Sequence, residues 1–99
     1  MRVSLNRLAE RDLDDIADFI AEDSPRRALS FTAGLRRACQ ELATYPLRFP
    51  KLQHPGNQDI RRCVHGAYSI FYRIREESIE VLRILHGARD HEAILFPEA

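Results

Sequence analysis

A chain of ninety-nine residues makes one domain over residues 1–99 and buries roughly 65% of the surface its unfolded form would expose, which leaves no room for a second module. Fifteen basic and fifteen acidic side chains cancel, which excludes a global field drawing the protein to nucleic acid or a membrane surface. No apolar run approaches the ~20 residues of a membrane span.

Val3 to Leu8 alternates apolar and polar residues and predicts a short first strand. A helix is expected next, over Ala9 to Asp23. Ala9, Leu13, Ile16, Ala17 and Ile20 recur at three- and four-residue steps, which puts them on one stripe and turns Asp12, Asp15 and Asp18 away from it. Ser24 and Pro25 start a second helix, serine as N-cap and proline at the first helical position, where its missing N–H costs nothing. Its stripe runs through Ala28, Phe31, Leu35, Ala38, Cys39 and Leu42, and Pro46 is expected to end it. So short a link makes the two helices an antiparallel hairpin. Phe19 and Leu29 lie off the stripes, either as ordinary surface hydrophobes or as marks of a partner groove.

Pro46 to Gln58 has three prolines and no period, so it reads as a loop. Asp59–His65, Ala67–Glu76 and Ser78–His86 are rich in Ile, Val, Tyr and Phe and are separated by His65-Gly66 and Glu76-Glu77. Links this short predict an antiparallel meander. The fold class is therefore α+β: a strand, a two-helix antiparallel hairpin packed on one face of a curved sheet, then a three-stranded antiparallel meander. The short C-terminal tail forms a helical turn over His91 to Leu95 and frays after Pro97.

Seven acids against the single base Arg11 lie between Glu10 and Asp23, whereas the last third carries Arg61, Arg62, Arg73, Arg75, Arg83 and Arg89. Cys39 and Cys63 sit inside apolar patterns without CxxC spacing, as expected of reduced core thiols in a cytoplasmic protein. His86, Asp90 and His91 match no strong metal pattern, so neither metal nor cofactor is expected. A ribonuclease needs a base, an acid and cations around a phosphate. His65, His86 or His91 with Arg61, Arg62, Arg73, Arg83 and Arg89 offer such groups, yet strand residues alternating toward solvent are polar in any case. No Ser/His/Asp constellation and no glycine-rich phosphate loop is present.

The segments ERDLDDIADFIAED, SPRRALSF, PLRFPKL, DIRRCVHGAYSIFYRI and IEVLRILHGARD together resemble the ParE branch of the RelE/ParE toxin superfamily of type II toxin–antitoxin systems. Phe71 to Ile74 and Leu82 to Asp90 are the most specific pieces. The resemblance covers nearly the whole chain and implies a cytoplasmic toxin that poisons DNA gyrase and blocks replication. It implies no catalytic residues, no membrane and no sequence-specific nucleic-acid contact, and neutralisation by a cognate ParD-like antitoxin. The alternative is a RelE-like, ribosome-dependent mRNA endoribonuclease. That branch uses an arginine where this chain has Ser69, and a tail tyrosine or histidine near the place of Ile94 or Leu95; Arg62, with Arg89 or His91, still matches part of its set.

The expected antitoxin contacts are Leu13, Ile16, Phe19, Ile20 and Leu29, along the helix pair, with a strand added to an open sheet edge. The expected target contacts are Arg61, Arg62, Arg83, His86 and Arg89. Arg83 and His86 stand three apart on one strand and project to opposite faces, so one of them is expected to be structural.

Overall fold

A computed structural model describes residues 1–54 and 59–97; positions 55–58 of the expected loop, and the expected fraying after Pro97, lie outside the described residues. Strand β1 (Arg2–Leu5) leads into helix α1 (Arg7–Ala21) and helix α2 (Pro25–Glu41), followed by β2 (Arg61–His65), β3 (Tyr68–Arg75), β4 (Ser78–His86) and the short helix α3 (His91–Leu95). The order is the expected one, strand, helical hairpin, meander and short tail. The sheet is mixed, in the order β1-β4-β3-β2, because β1 pairs parallel with β4 while the meander is antiparallel.

Two boundaries differ from the sequence expectation for local reasons. The first strand stops at Leu5 because Asn6 caps α1, its side-chain oxygen accepting from the Ala9 N–H at 2.9 Å. The second helix stops at Glu41, well before Pro46. There the amides of Leu42, Ala43 and Thr44 bond back only three residues, a tightened last turn that uses up helical carbonyls without help from the proline. Ser24 and Pro25 begin α2 as expected, with Ser24 Oγ accepting from the Arg27 N–H.

The helical hairpin covers one face of the sheet. Ala9, Leu13 and Ile16 of α1 and Leu35 and Cys39 of α2 pack on Cys63, Ile70, Tyr72, Ile79, Val81 and Ile84. The other face has a smaller core of Ile60, Phe71 and Leu85, with Leu52, Leu82, Ile94, Leu95 and Phe96 packed against it. Opposite Phe71 and Tyr72 the register slips: Phe71 faces Arg83 but Tyr72 faces Val81, which leaves Leu82 as the bulged residue. The slip moves Ile84 to the helix side, in line with Val81, and puts Leu85 in the far core.

Both cysteines are free and buried. Burial pushes the Cys39 thiol up from 9.0 to about 12, and raises Cys63 as well. A raised thiol pKa means the folded protein keeps a proton that the unfolded chain gives up, so this stabilisation is complete below about pH 9 and is lost as pH rises toward 12. Native protein at pH 8 is expected to leave Cys39 unreacted with a thiol reagent, and unfolded protein to react at both sites, as labelling followed by mass measurement will show.

Candidate functional site

Beyond Leu5 the strand β1 no longer accompanies β4, so β4 has amides there without a strand partner. α1 crosses at that point and Asp12 fills the gap. Its carboxylate accepts from the Ile84 N–H at 2.9 Å, from Arg83 Nε at 2.7 Å and from Arg83 Nη2 at 2.8 Å. Asp12 is only 6% exposed, which corrects the expectation that it faces away from the stripe. The hydrogen bonds to Asp12 raise the Arg83 pKa further above its ordinary value. Arg83 is thus held within the fold by Asp12, with its side chain 19% exposed.

Two more of the expected target arginines have internal partners. Arg61 Nη1 donates to the carbonyls of Phe49 at 2.6 Å and Leu47 at 3.3 Å, and so holds the loop after α2 against the sheet. Arg62 Nε donates to Ser69 Oγ at 2.9 Å, and Ser69 is buried. Arg61 and Arg83 are therefore anchors in this fold, and Arg62 is partly so.

His86 and Arg89 remain exposed. They line a helix-side groove of about 320 Å³ together with Asp15, Ile16, Phe19, Tyr68 and Ile84. The Tyr68 ring stands edge-on to His86, with centroids 5.2 Å apart, and leans on Phe31 at 5.6 Å. His86 also organises the turn after β4. Its Nδ1 accepts from the Ala88 N–H, and its carbonyl accepts from the Arg89 N–H and from His91 Nε2. A carbonyl can only accept, so the His91 ring donates from Nε2.

Of the expected antitoxin contacts, Phe19 and Leu29 are 67% and 75% exposed, and Ile20 is half-buried against the core. Leu13, 2% exposed, belongs to the core, which corrects its assignment as a contact, whereas Ile16, 6% exposed, is buried but lines the groove. They are on the buried stripe of an amphipathic helix and face the sheet; Ile16 reaches only the groove floor. Tyr68 forms a wall of this groove. An aromatic residue in a strand pattern carries no sign of which end of the sheet stays uncovered.

On the far side of the sheet, Arg62, Arg89 and His91 line an open cavity of about 410 Å³ with Asp90 and Glu92. Two arginines there meet two acids, so the cavity has no net cationic excess from these four groups, and a phosphate gains little from it. Among the described residues no group of three or more His, Cys, Asp or Glu is placed to hold a metal ion. No helix among them is long and apolar enough to cross a membrane.

Residues 3–91 match a family model described as the ParE toxin of the type II toxin–antitoxin system parDE. Among solved structures, one described as a chromosomal ParDE system from P. aeruginosa superposes with a TM-score of 0.73 at 23% identity, covering 87% of this chain and 95% of that one. The toxin–antitoxin complex RelBE2 from Mycobacterium tuberculosis superposes with a TM-score of 0.65 at 25% identity, covering 86% and 95%. A conserved hypothetical protein from Helicobacter pylori gives 0.59 at 13% identity, covering 90% and 97%. The search of curated proteins found no match.

Proposed function

Because this chain belongs to the ParE toxin family of type II toxin–antitoxin systems, we propose that it arrests growth by binding DNA gyrase and blocking replication, and that a ParD-like antitoxin neutralises it by direct contact. The observation that carries the contact reading is the groove beside α1, where exposed Phe19 stands over an apolar floor next to His86 and Arg89. An amphipathic helix seats its apolar side in a groove of this kind. The descriptions of two structural neighbours name paired toxin–antitoxin systems, which supports a partner of that type.

The sheet offers strand addition at one edge in particular. The β2 edge is shielded by the loop before it, since Lys51 bridges to Arg61, the Leu52 N–H donates to the Ile60 carbonyl and the Arg62 N–H to the Pro50 carbonyl. β1 is the other edge of the sheet, and an extended antitoxin segment is proposed to pair there.

A second reading, messenger cleavage on the ribosome, draws on the meeting of Arg62, Arg89 and His91 around one cavity. Gyrase binding is favoured over it because Ser69 engages Arg62 and because Asp90 and Glu92 offset the arginines. General acid–base catalysis contributes about 10²- to 10⁴-fold, so a site short of its clamp and tail tyrosine is a poor nuclease. Expression of the chain alone is expected to halt DNA synthesis first, with elongated cells, while translation continues; purified chain is expected to inhibit gyrase supercoiling. An early stop in protein synthesis with cleaved messages would transfer the assignment to the nuclease reading, and undisturbed growth would remove both.

A further inference from the structure

Strand β1 has four residues and β4 has nine, so their pairing ends at Leu5 and Val81 and leaves Leu82 to His86 beyond it. Both backbone groups of a strand residue point to one side, and past the Leu82 bulge those of Ile84 and His86 point to where β1 would have continued. An uncovered strand edge of this kind is a template for another strand. Here it is closed piecemeal. The Asn6 N–H, just past β1, donates to the Val81 carbonyl at 3.0 Å, and the His86 carbonyl accepts from the Arg89 N–H at 3.1 Å and from His91 Nε2 at 2.9 Å. Between them the Ile84 N–H donates at 2.9 Å to Asp12 Oδ2, a side chain of α1 standing where a backbone carbonyl would otherwise be. Arg83 holds that carboxylate in place with bonds of 2.7 and 2.8 Å.

We propose that Asp12 is an edge plug: it takes the place of a strand beside Ile84 and so keeps β4 from pairing with β4 of a second copy of this chain. This role is independent of the toxin reading above. A second copy is the occupant that the sequence of the edge fits. In an antiparallel pairing centred on Ile84, Ile84 meets Ile84, Arg83 meets Leu85 and Leu82 meets His86, so no arginine faces an arginine and the contact closes on a two-fold axis. On the helix side of the same edge, exposed Phe19 stands beside Ile84 and adds apolar surface to such a contact. A carboxylate is suited to prevent it. Acceptor-only, it satisfies the Ile84 N–H without offering a donor that would continue a ladder. An incoming strand has to displace it from Arg83 as well as from Ile84, which would leave a largely buried guanidinium without its counter-charge.

The test uses the full chain with Asp12→Leu and Arg83→Met combined, which uncovers the Ile84 N–H and leaves neither charge of the pair behind. Sedimentation over a concentration series is expected to show the unmodified chain as a monomer and the double variant with an apparent mass that rises about two-fold, to that of a closed pair. Asp12→Asn keeps an oxygen for the Ile84 N–H and is expected to remain a monomer. A cooperative melt shows that each variant is folded, and Asp12→Ala with Arg83→Met replaces the first variant if leucine does not fit. Hydrogen exchange gives a readout that needs no variant: the Ile84 amide of the unmodified chain is expected to exchange as slowly as amides inside the sheet. A folded double variant that stays monomeric throughout, pairing of Asp12→Asn to the same extent, an unmodified chain that already pairs, or a fast-exchanging Ile84 amide would each overturn the plug.

Discussion

Replacing Asp12 by alanine is expected to destabilise the protein by about 3–5 kcal/mol, the usual cost of removing one partner from a buried ion pair. The change leaves the Arg83 guanidinium, with a side chain only 19% exposed, without its counter-charge. It also strips the Ile84 N–H of its acceptor. In a domain of this size each kcal/mol shifts the melting temperature by about 4–8 °C, so a thermal melt should fall by more than ~10 °C. Because a small domain has about 5–15 kcal/mol in total, the variant is expected to be less abundant in cells through proteolysis of its unfolded fraction. A double replacement, Asp12→Leu with Arg83→Met, removes both charges together and is expected to recover much of the loss, although Ile84 still lacks an acceptor. Arg83→Ala should abolish toxicity only along with stability. If toxicity disappeared while the melt stayed unchanged, Arg83 would be a target contact after all.

The second large effect separates core from contact on one helix. Leu13→Ala is expected to cost about 2–5 kcal/mol by emptying a site between α1 and the sheet. Phe19→Ala, two turns along on the exposed side, is expected to leave stability within about 0.5 kcal/mol and to weaken antitoxin binding by about 10-fold or more, as an aromatic anchor does. Urea unfolding reads the first quantity and titration of the purified antitoxin reads the second. Equal antitoxin affinity for the Phe19 variant would move the antitoxin elsewhere on the surface.

Why Leu13 is recognisable as a helix-stripe residue but not as core rather than contact follows from the periodicity itself. A 3.6-residue repeat says that a set of side chains shares a face; it does not say whether the face meets the protein's own sheet or another chain. The off-stripe position of Phe19 and Leu29 is the more informative signal, and both are exposed. Asp12 misleads for a related reason. Its spacing points it away from the stripe's centre, yet it stands on the stripe's margin, where β1 has ended and β4 has an amide to satisfy. The tail gives a similar case. Its sequence points only to a helical turn, yet Ile94, Leu95 and Phe96 pack over Phe71 and Leu85.

The order of strands and helices, the Ser24-Pro25 helix start, the meander and the family resemblance were all present in the sequence, because each depends on residues close together along the chain. Local spacing carries caps, turns and periodicity, and these bring the chain to an α+β hairpin-on-sheet fold. Tertiary structure alone decided the parallel pairing of β1 with β4, the bulge at Leu82, and which arginines are free. Arg83 meets Asp12 across seventy-one positions, and Arg61 meets the loop carbonyls across twelve and fourteen. Nothing local distinguishes such an arginine from the exposed Arg89; the difference is made by what the folded chain brings within hydrogen-bond reach.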